Sequence, residues 1–477
     1  MEKSSHTAIF ASPGYGKSTI LQTLTLNIAS KNTPEQVHFN LLDFGNNGLL
    51  PLKDLPHVAD IVTLEEDEKL QKMLDRVSQL LAQRKQLFKE TGVASLIQYE
   101  AKTQQKLPII INLLDSYDAL SLEDQRKDGI DELLLQLLRD GASLGVYLIF
   151  TASRSGSIRM NMMSNIATKV VLYLNDESEI GSLLGRDALM AQAISGRGQV
   201  MLDTPTAIQF YLPAEGENSA ELLENLETKV ATMNHDWVGI RPERIPMVPE
   251  KLSHEQFQQF VPEKELNQLY LGLNKLSAEP ETLPLFQRKT LGIFPESTKQ
   301  SQLIFPWFMQ QISELTVNYE VVLIDVAGNL EEWYEKVSLY IQRTQVVQQN
   351  VELKEALEAM LIDETTQRIV IINGLADLVD KLSLDIDSLA YITNSPIGKL
   401  QLILLDTSTK LTSTYSSFIS TIKENTEQVL FGGTLQNQSF VENVPYDQQN
   451  LPVPKNVLHR LKEEVLDKIV VPMEVNK

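Results

Sequence analysis

Apolar positions in the first half of the chain follow two alternating patterns. Short continuous runs read as buried strands: Ala8-Ile9-Phe10, Val37-His38-Phe39-Asn40-Leu41-Leu42-Asp43, Pro108 to Asp115, Gly145 to Thr151 and Lys169 to Leu174. Between them, apolar residues recur at helical spacing. One series is Leu70, Met73, Leu74, Val77, Leu80, Leu81, Leu87 and Phe88; another is Ile130, Leu133, Leu134, Leu137 and Leu138. Apolar strands alternating with helices predict an α/β fold, a mostly parallel sheet with helices on both faces.

From Pro213 the pattern changes. An acidic helical stretch, Ala220 to Met233, leads into Ile240-Arg241-Pro242-Glu243-Arg244-Ile245-Pro246-Met247-Val248-Pro249, whose prolines favour a stiff, extended connector and mark a boundary. The division expected is residues 1–213, a helical and Pro-containing linker over 214–261, and a second domain over 262–477.

The second half repeats the first in order. Leu41-Leu42-Asp43 returns as Leu323-Ile324-Asp325, the strand ending at Asp115 as Arg368 to Asn373, and the strand around Ile149 as Leu402 to Asp406. The turn after the first strand returns as Gly292 to Ser301, without an internal glycine, with Glu296 where a phosphate would lie and with Lys299 out of place.

Composition narrows the function. The chain has 477 residues, enough for roughly two to four domains. Its formal charge of -21 disfavours a nonspecific grip on nucleic acid. With no cysteine there are no disulfides or thiolate metal sites, which suits a reducing compartment. No apolar run approaches the ~18 residues of a membrane span. The chain opens so close to its first strand that a piece of a longer protein is expected.

The chemistry centres on Ala11-Ser12-Pro13-Gly14-Tyr15-Gly16-Lys17-Ser18, set between a strand and a helix. That context makes a phosphate-binding loop, with backbone N–H groups aimed at one point and a helix N-terminus behind them. Ser12, Pro13, Gly14, Tyr15, Gly16, Lys17, Ser18 and Thr19 are therefore the expected nucleotide-binding residues. Lys17 would reach the β- and γ-phosphates and Ser18 would meet Mg²⁺. Ala11 stands where the pattern has glycine; if φ must be positive there, alanine costs about 1–2 kcal/mol.

Asp115, at the end of a buried strand, is the expected second Mg²⁺ residue. The next position commonly carries a glutamate that polarises the attacking water, and here it is Ser116. Loss of a general base costs about 10²–10⁴ in rate, so ATP binding with slow hydrolysis is expected. Asp118 is either a substitute base or a solvated loop acid. Ser153 and Arg154 lie where a sensor group could meet the γ-phosphate, or form a plain polar strand end. Lys169 is either a finger toward a neighbouring subunit or a surface lysine. Asp43 is either a second polar wall or a turn former. Asn373-Gly374 stands at the Asp115-Ser116 position of the second half.

These residues resemble FtsK/SpoIIIE-type motor ATPases. The likeness runs through Ala11–Thr19, Leu42-Asp43, Leu55-Pro56-His57, Arg84, Gly92-Val93, Tyr99, Leu114-Asp115-Ser116-Tyr117-Asp118-Ala119-Leu120 and Gly145 to Arg154. Leu183-Leu184-Gly185-Arg186-Asp187-Ala188, Gly196-Arg197-Gly198 and the Pro-containing linker are similar to the type VII secretion ATPases of the EccC/EssC group. The resemblance implies two tandem RecA-like P-loop NTPase domains, the second degenerate and without a P-loop. It implies ATP and Mg as ligands, Asp115, Ser116 and Ser153 as catalytic positions, and Ser18 and Asp115 as Mg residues. It further implies hexamers with other copies of the chain, WXG100-type secreted substrates, other secretion-machine subunits as partners, and a place on the cytoplasmic face of the cell membrane. The family's other trade, translocation of double-stranded DNA, is the alternative, disfavoured by charge and by the lack of a basic tail after residue 440.

Overall fold

The computed structural model describes residues 6–474 except 121–123, 125, 190–191, 266, 288–289, 349–354, 356–358, 360–365, 383–398, 413–425, 427, 438–439, 442–443, 445 and 463–464. The chain forms two compact units, residues 1–245 and 246–477.

The first unit holds eight strands: β1 Thr7–Phe10, β2 Val37–Asp43, β3 Val58–Thr63, β4 Ile109–Asp115, β5 Val146–Ala152, β6 Thr168–Val171, β7 Arg197–Met201 and β8 Pro205–Gln209. They lie in the order β3-β2-β4-β5-β1-β6-β7-β8. Strands β1 to β6 are parallel, while β7 and β8 run antiparallel at the edge.

Alternate side chains go to opposite faces of a strand, and both faces of this sheet are covered. Ala8, Phe10, Leu42, Leu114 and Phe150 pack with Leu70, Met73, Val77 and Leu81 of helix α2, Asp67–Thr91. Ile9, Phe39, Leu41 and Leu113 pack on the other face with Ile20, Leu21 and Leu26 of helix α1, Lys17–Ala29. This double cover is why the central strands read as continuous apolar runs. The β7–β8 hairpin escaped the sequence reading because its alternation is weak and largely exposed (Arg197, Thr206, Gln209).

The second unit holds ten strands: β9 Gln268–Asn274, β10 Pro280–Pro284, β11 Leu291–Phe294, β12 Glu320–Asp325, β13 Leu339–Gln342, β14 Arg368–Asn373, β15 Leu400–Leu405, β16 Gln428–Phe431, β17 Val457–Lys462 and β18 Val465–Val470. Their order is β10-β9-β18-β17-β16-β11-β15-β14-β12-β13. From β13 to β18 this repeats the first unit strand for strand, with the β9–β10 hairpin added beyond β18. Equivalent residues follow from the registers. Asp43 pairs with Asp115, and Asp325 pairs with Asn373. Ile9 pairs with Thr151, and Ile293 pairs with Leu405.

No described helix is long and apolar enough to cross a membrane.

Candidate functional site

The loop between β1 and α1 turns on two glycines, Gly14 at φ +86° and Gly16 at φ +92°, a region that side-chain-bearing residues rarely enter. Ala11 is not among the positive-φ residues, so the strain considered for an alanine there does not arise. The left-handed turns fall further along the loop. Ala11 is buried and its N–H donates to Ala152 O at 3.2 Å. Ser12 pins the loop to the far side: its N–H donates to Tyr173 O at 2.9 Å and its Oγ accepts from Asn175 N at 3.0 Å. The Tyr15 ring lies against Tyr173, centroids 4.5 Å apart. Pro13 and Gly14 are exposed at the tip, and Tyr15 to Thr19 are half-buried.

Lys17 Nζ donates to Ala11 O at 2.8 Å and to Ser153 Oγ at 3.3 Å. Burial pulls its pKa below the usual lysine value, against the opposing charges of Asp118 and Asp115. The Ser18 hydroxyl donates to Asp115 Oδ2 at 2.5 Å. Lys17, Ser18, Asp115 and Ser153 thus meet at one end of the sheet, although their sequence positions span α1, β4 and β5.

Ser116 takes the left-handed backbone, φ +62°, and its N–H donates to Thr151 Oγ1 at 2.8 Å. Arg154 is exposed, and Lys169 is half-buried near the start of β6.

Three contributors were not assigned from the sequence. Thr151 is fully buried, and its hydroxyl donates to Asp115 Oδ1 at 2.6 Å while accepting from Ser116 N. Gln22 Nε2 donates to Gly48 O at 2.6 Å, holding the loop after β2 against α1. Gly48 faces the site so closely that a Cβ there would lie 2.8 Å from Ser18 Oγ and 3.1 Å from Asp115 Oδ2. The one local signal for this loop was its Gly45-Asn46-Asn47-Gly48 run.

Asp43 organises that loop. Its Oδ1 accepts from Gly45 N at 3.1 Å and its Oδ2 from Leu49 N at 2.8 Å. Burial pushes its carboxyl above the ordinary range, and the Leu49 bond opposes this. These bonds are those of a turn former.

Among the described residues the second unit does not repeat this arrangement. Residues 11–16 separate β1 from α1, six in all, whereas only residues 295–297, three, separate β11 from the helix Thr298–Glu314. Into this short turn Gln300 sends its side chain, Oε1 accepting from Glu296 N at 2.6 Å and Nε2 donating to Lys455 O at 2.9 Å. Asn373 donates to Asp325 Oδ1 at 2.7 Å and to Asn329 Oδ1 at 2.5 Å. Asp325 also accepts from Gly328 N, Leu330 N and the Tyr340 hydroxyl. Leu405 replaces Thr151 by register. Glu296 N and Asp325 are thus both already satisfied within the unit.

The chain is similar to known proteins. Residues 1–202 match the family model described as FtsK/SpoIIIE family. The ESX secretion system protein EccC of Geobacillus thermodenitrificans is 39% identical over 274 residues, 57% of this chain and 18% of that protein. The type VII secretion system protein EssC of Staphylococcus aureus (strain MRSA252) is 32% identical over 346 residues, 71% of this chain and 23% of that protein. The matched residues therefore span about a fifth of the length of these curated relatives. The solved structure of EssC (ATPases 2 and 3) from Geobacillus thermodenitrificans superposes with a TM-score of 0.81 at 26% identity, over 98% of this chain and 91% of that one. Residues 1–202 are similar to the FtsK/SpoIIIE family, and the chain as a whole is similar in sequence and fold to the tandem ATPase domains of the EssC and EccC secretion proteins.

Proposed function

We propose that this chain supplies two ATPase-type modules of a type VII secretion motor, the first binding Mg-ATP and the second recognising a partner without nucleotide. The observation carrying this reading is the contrast at one register. In the first unit Lys17, Ser18 and Asp115 converge beside a glycine-turned loop, while in the second Gln300 fills the shortened turn and Asn373 stands in for the acid.

Ser12, Pro13, Gly14, Tyr15, Gly16, Lys17, Ser18 and Thr19 hold the nucleotide on this reading, with the loop N–H groups on the phosphates. The donor set fits magnesium, because the Ser18 hydroxyl and the Asp115 carboxylate already lie together. Among the described residues no group of three or more acidic or histidine side chains could hold a metal. Magnesium usually takes waters and phosphate oxygens as its other ligands. Magnesium, when bound, neutralises charge on the phosphates. Ser153 reports on the γ-phosphate through Lys17, and Thr151 keeps Asp115 aimed. Ser116 cannot act as a base at neutral pH, so hydrolysis is slow and the nucleotide serves chiefly to bias subunit contacts.

The rest of this reading rests on the family resemblance of the sequence. The motor assembles as a hexamer on the cytoplasmic face of the membrane, exports WXG100-type proteins with other secretion subunits, and uses the second unit to read their export signal. A net charge of -21 gives no support to DNA translocation.

Titration calorimetry with Mg-ATP on this chain and on Lys17→Ala, with phosphate release followed in parallel, tests the proposal. Binding lost in the variant, with one site per chain, is the expected result. Two sites per chain, or binding that survives Lys17→Ala, would refute it.

A further inference from the structure

Ser116 leaves the first unit without a carboxylate at the position after Asp115, but another acid, Asp118, is bonded at the end of β5 to the residue that meets Lys17. The left-handed backbone at Ser116 turns the chain back on itself into a 3-10 turn, Tyr117–Ala119, closed by the Ala119 N–H donating to Ser116 O at 2.9 Å. Tyr117 anchors this turn from below. It is fully buried, its hydroxyl donates to Asp131 Oδ1 at 2.7 Å, and it accepts from Lys127 Nζ at 2.9 Å.

With Tyr117 held inward, the next residue, Asp118, is half-buried beside the end of β5. Its Oδ1 accepts from Ser153 N at 2.9 Å, and Ser153 Oγ is the group that meets Lys17 Nζ at 3.3 Å. One residue, Ser153, therefore joins Asp118 to the phosphate lysine. Asp118 Oδ1 is used by that bond, which leaves Oδ2 to accept from a water. Three residues after Asn373, at the place of Asp118, the second unit carries Ala376, which is buried in its core.

We infer that Asp118 is the carboxylate that orients the attacking water in the first unit. The inference rests on the reading of that unit as an Mg-ATP site. In the step, the water oxygen bonds to the γ-phosphorus as the bond from that phosphorus to the β–γ bridging oxygen breaks. The bridging electron pair leaves with ADP. The proton lost by the water passes to Asp118 and from there to solvent.

Asp118→Asn separates this role from a structural one, because the asparagine Oδ1 still accepts from Ser153 N while the carboxylate is gone. The measurement is Mg-ATP affinity together with single-turnover phosphate release on the full chain. The expected result is a Kd within about threefold of the parent and release slowed by about 10²-fold or more. Unchanged release in Asp118→Asn would overturn the inference, leaving Asp118 as an anchor for Ser153. Parent protein that binds Mg-ATP but releases no phosphate would overturn it as well. Parent protein that binds no Mg-ATP would instead sink the underlying reading of the site.

Discussion

Asn373 donates its side-chain amide to Asp325 at 2.7 Å, at the register position where the first unit sets Asp115 beside Asp43. A single amide in place of an acid turns a pair of carboxylates into a neutral donor and its acceptor. Asp43 and Asp325 both clamp the loop that follows their strand, so that feature belongs to the fold. The difference at 115 and 373 belongs to the chemistry.

Asn373→Asp puts two buried carboxylates side by side and removes a donor from Asp325 and Asn329. The second unit should lose about 1–3 kcal/mol of stability, read by denaturant unfolding at neutral pH. It should gain no nucleotide binding, since Gln300 still fills the turn; a second Mg-ATP site in calorimetry would contradict this.

Thr151→Val keeps the shape of the β5 end and removes the hydroxyl shared by Asp115 and Ser116 N. The half-buried Ser116 N–H loses its acceptor and Asp115 a donor, so a cost of about 1–3 kcal/mol is expected. With Asp115 no longer held, Mg-ATP should bind at least several-fold more weakly, whereas binding of nucleotide without magnesium should change less.

Gly48→Ala tests how closely the β2 loop fits. The added Cβ would approach Ser18 Oγ at 2.8 Å and must displace either that hydroxyl or the loop. Magnesium-dependent affinity is expected to fall about tenfold, equivalent to ~1.4 kcal/mol. The readout is a magnesium titration at fixed ATP; affinity equal to that of the parent would show that the loop yields freely.

Acid sensitivity is built into both units through buried histidines. His6 and His459 are each held down at about 4, below the ordinary 6.5, chiefly by burial. His6 Nδ1 accepts from Leu148 N at 3.0 Å, a bond that requires the unprotonated nitrogen. The folded pKa lies below the unfolded one, so the unfolded chain binds more protons between these values. The stabilisation is present above about pH 6.5, falls as pH drops toward 4, and is fully lost below that. Each site should contribute on the order of 3 kcal/mol across this window. Melting temperature against pH should show a shallower acid decline in His6→Gln or His459→Gln than in the parent. Equal slopes would rule the histidines out.

The alternation of strands and helices, the phosphate loop and Asp115 were all legible in the chain as written. Each signal is local: an apolar run, a period near four, or Gly-Tyr-Gly-Lys-Ser between a strand and a helix. The missing acid at Asn373 was equally plain, because the repeated strands aligned it with Asp115. The β7–β8 hairpin was not legible, since its strands are largely exposed and carry little apolar pattern.

Roles that depend on partners far along the chain could be settled only by the folded structure. Thr151 meets Asp115 across 36 residues, Ser153 meets Asp118 across 35, and Ser18 meets Asp115 across 97. Strand order sets these meetings by bringing the ends of β1, β4 and β5 together, and no local spacing encodes that order. The left-handed turn at Ser116 that carries Asp118 toward Ser153, and the Gln300 side chain that closes the second turn, depend likewise on neighbours supplied by the sheet. The sequence alone specified which chemistry was on offer, because those residues are local; packing decided which of them touch.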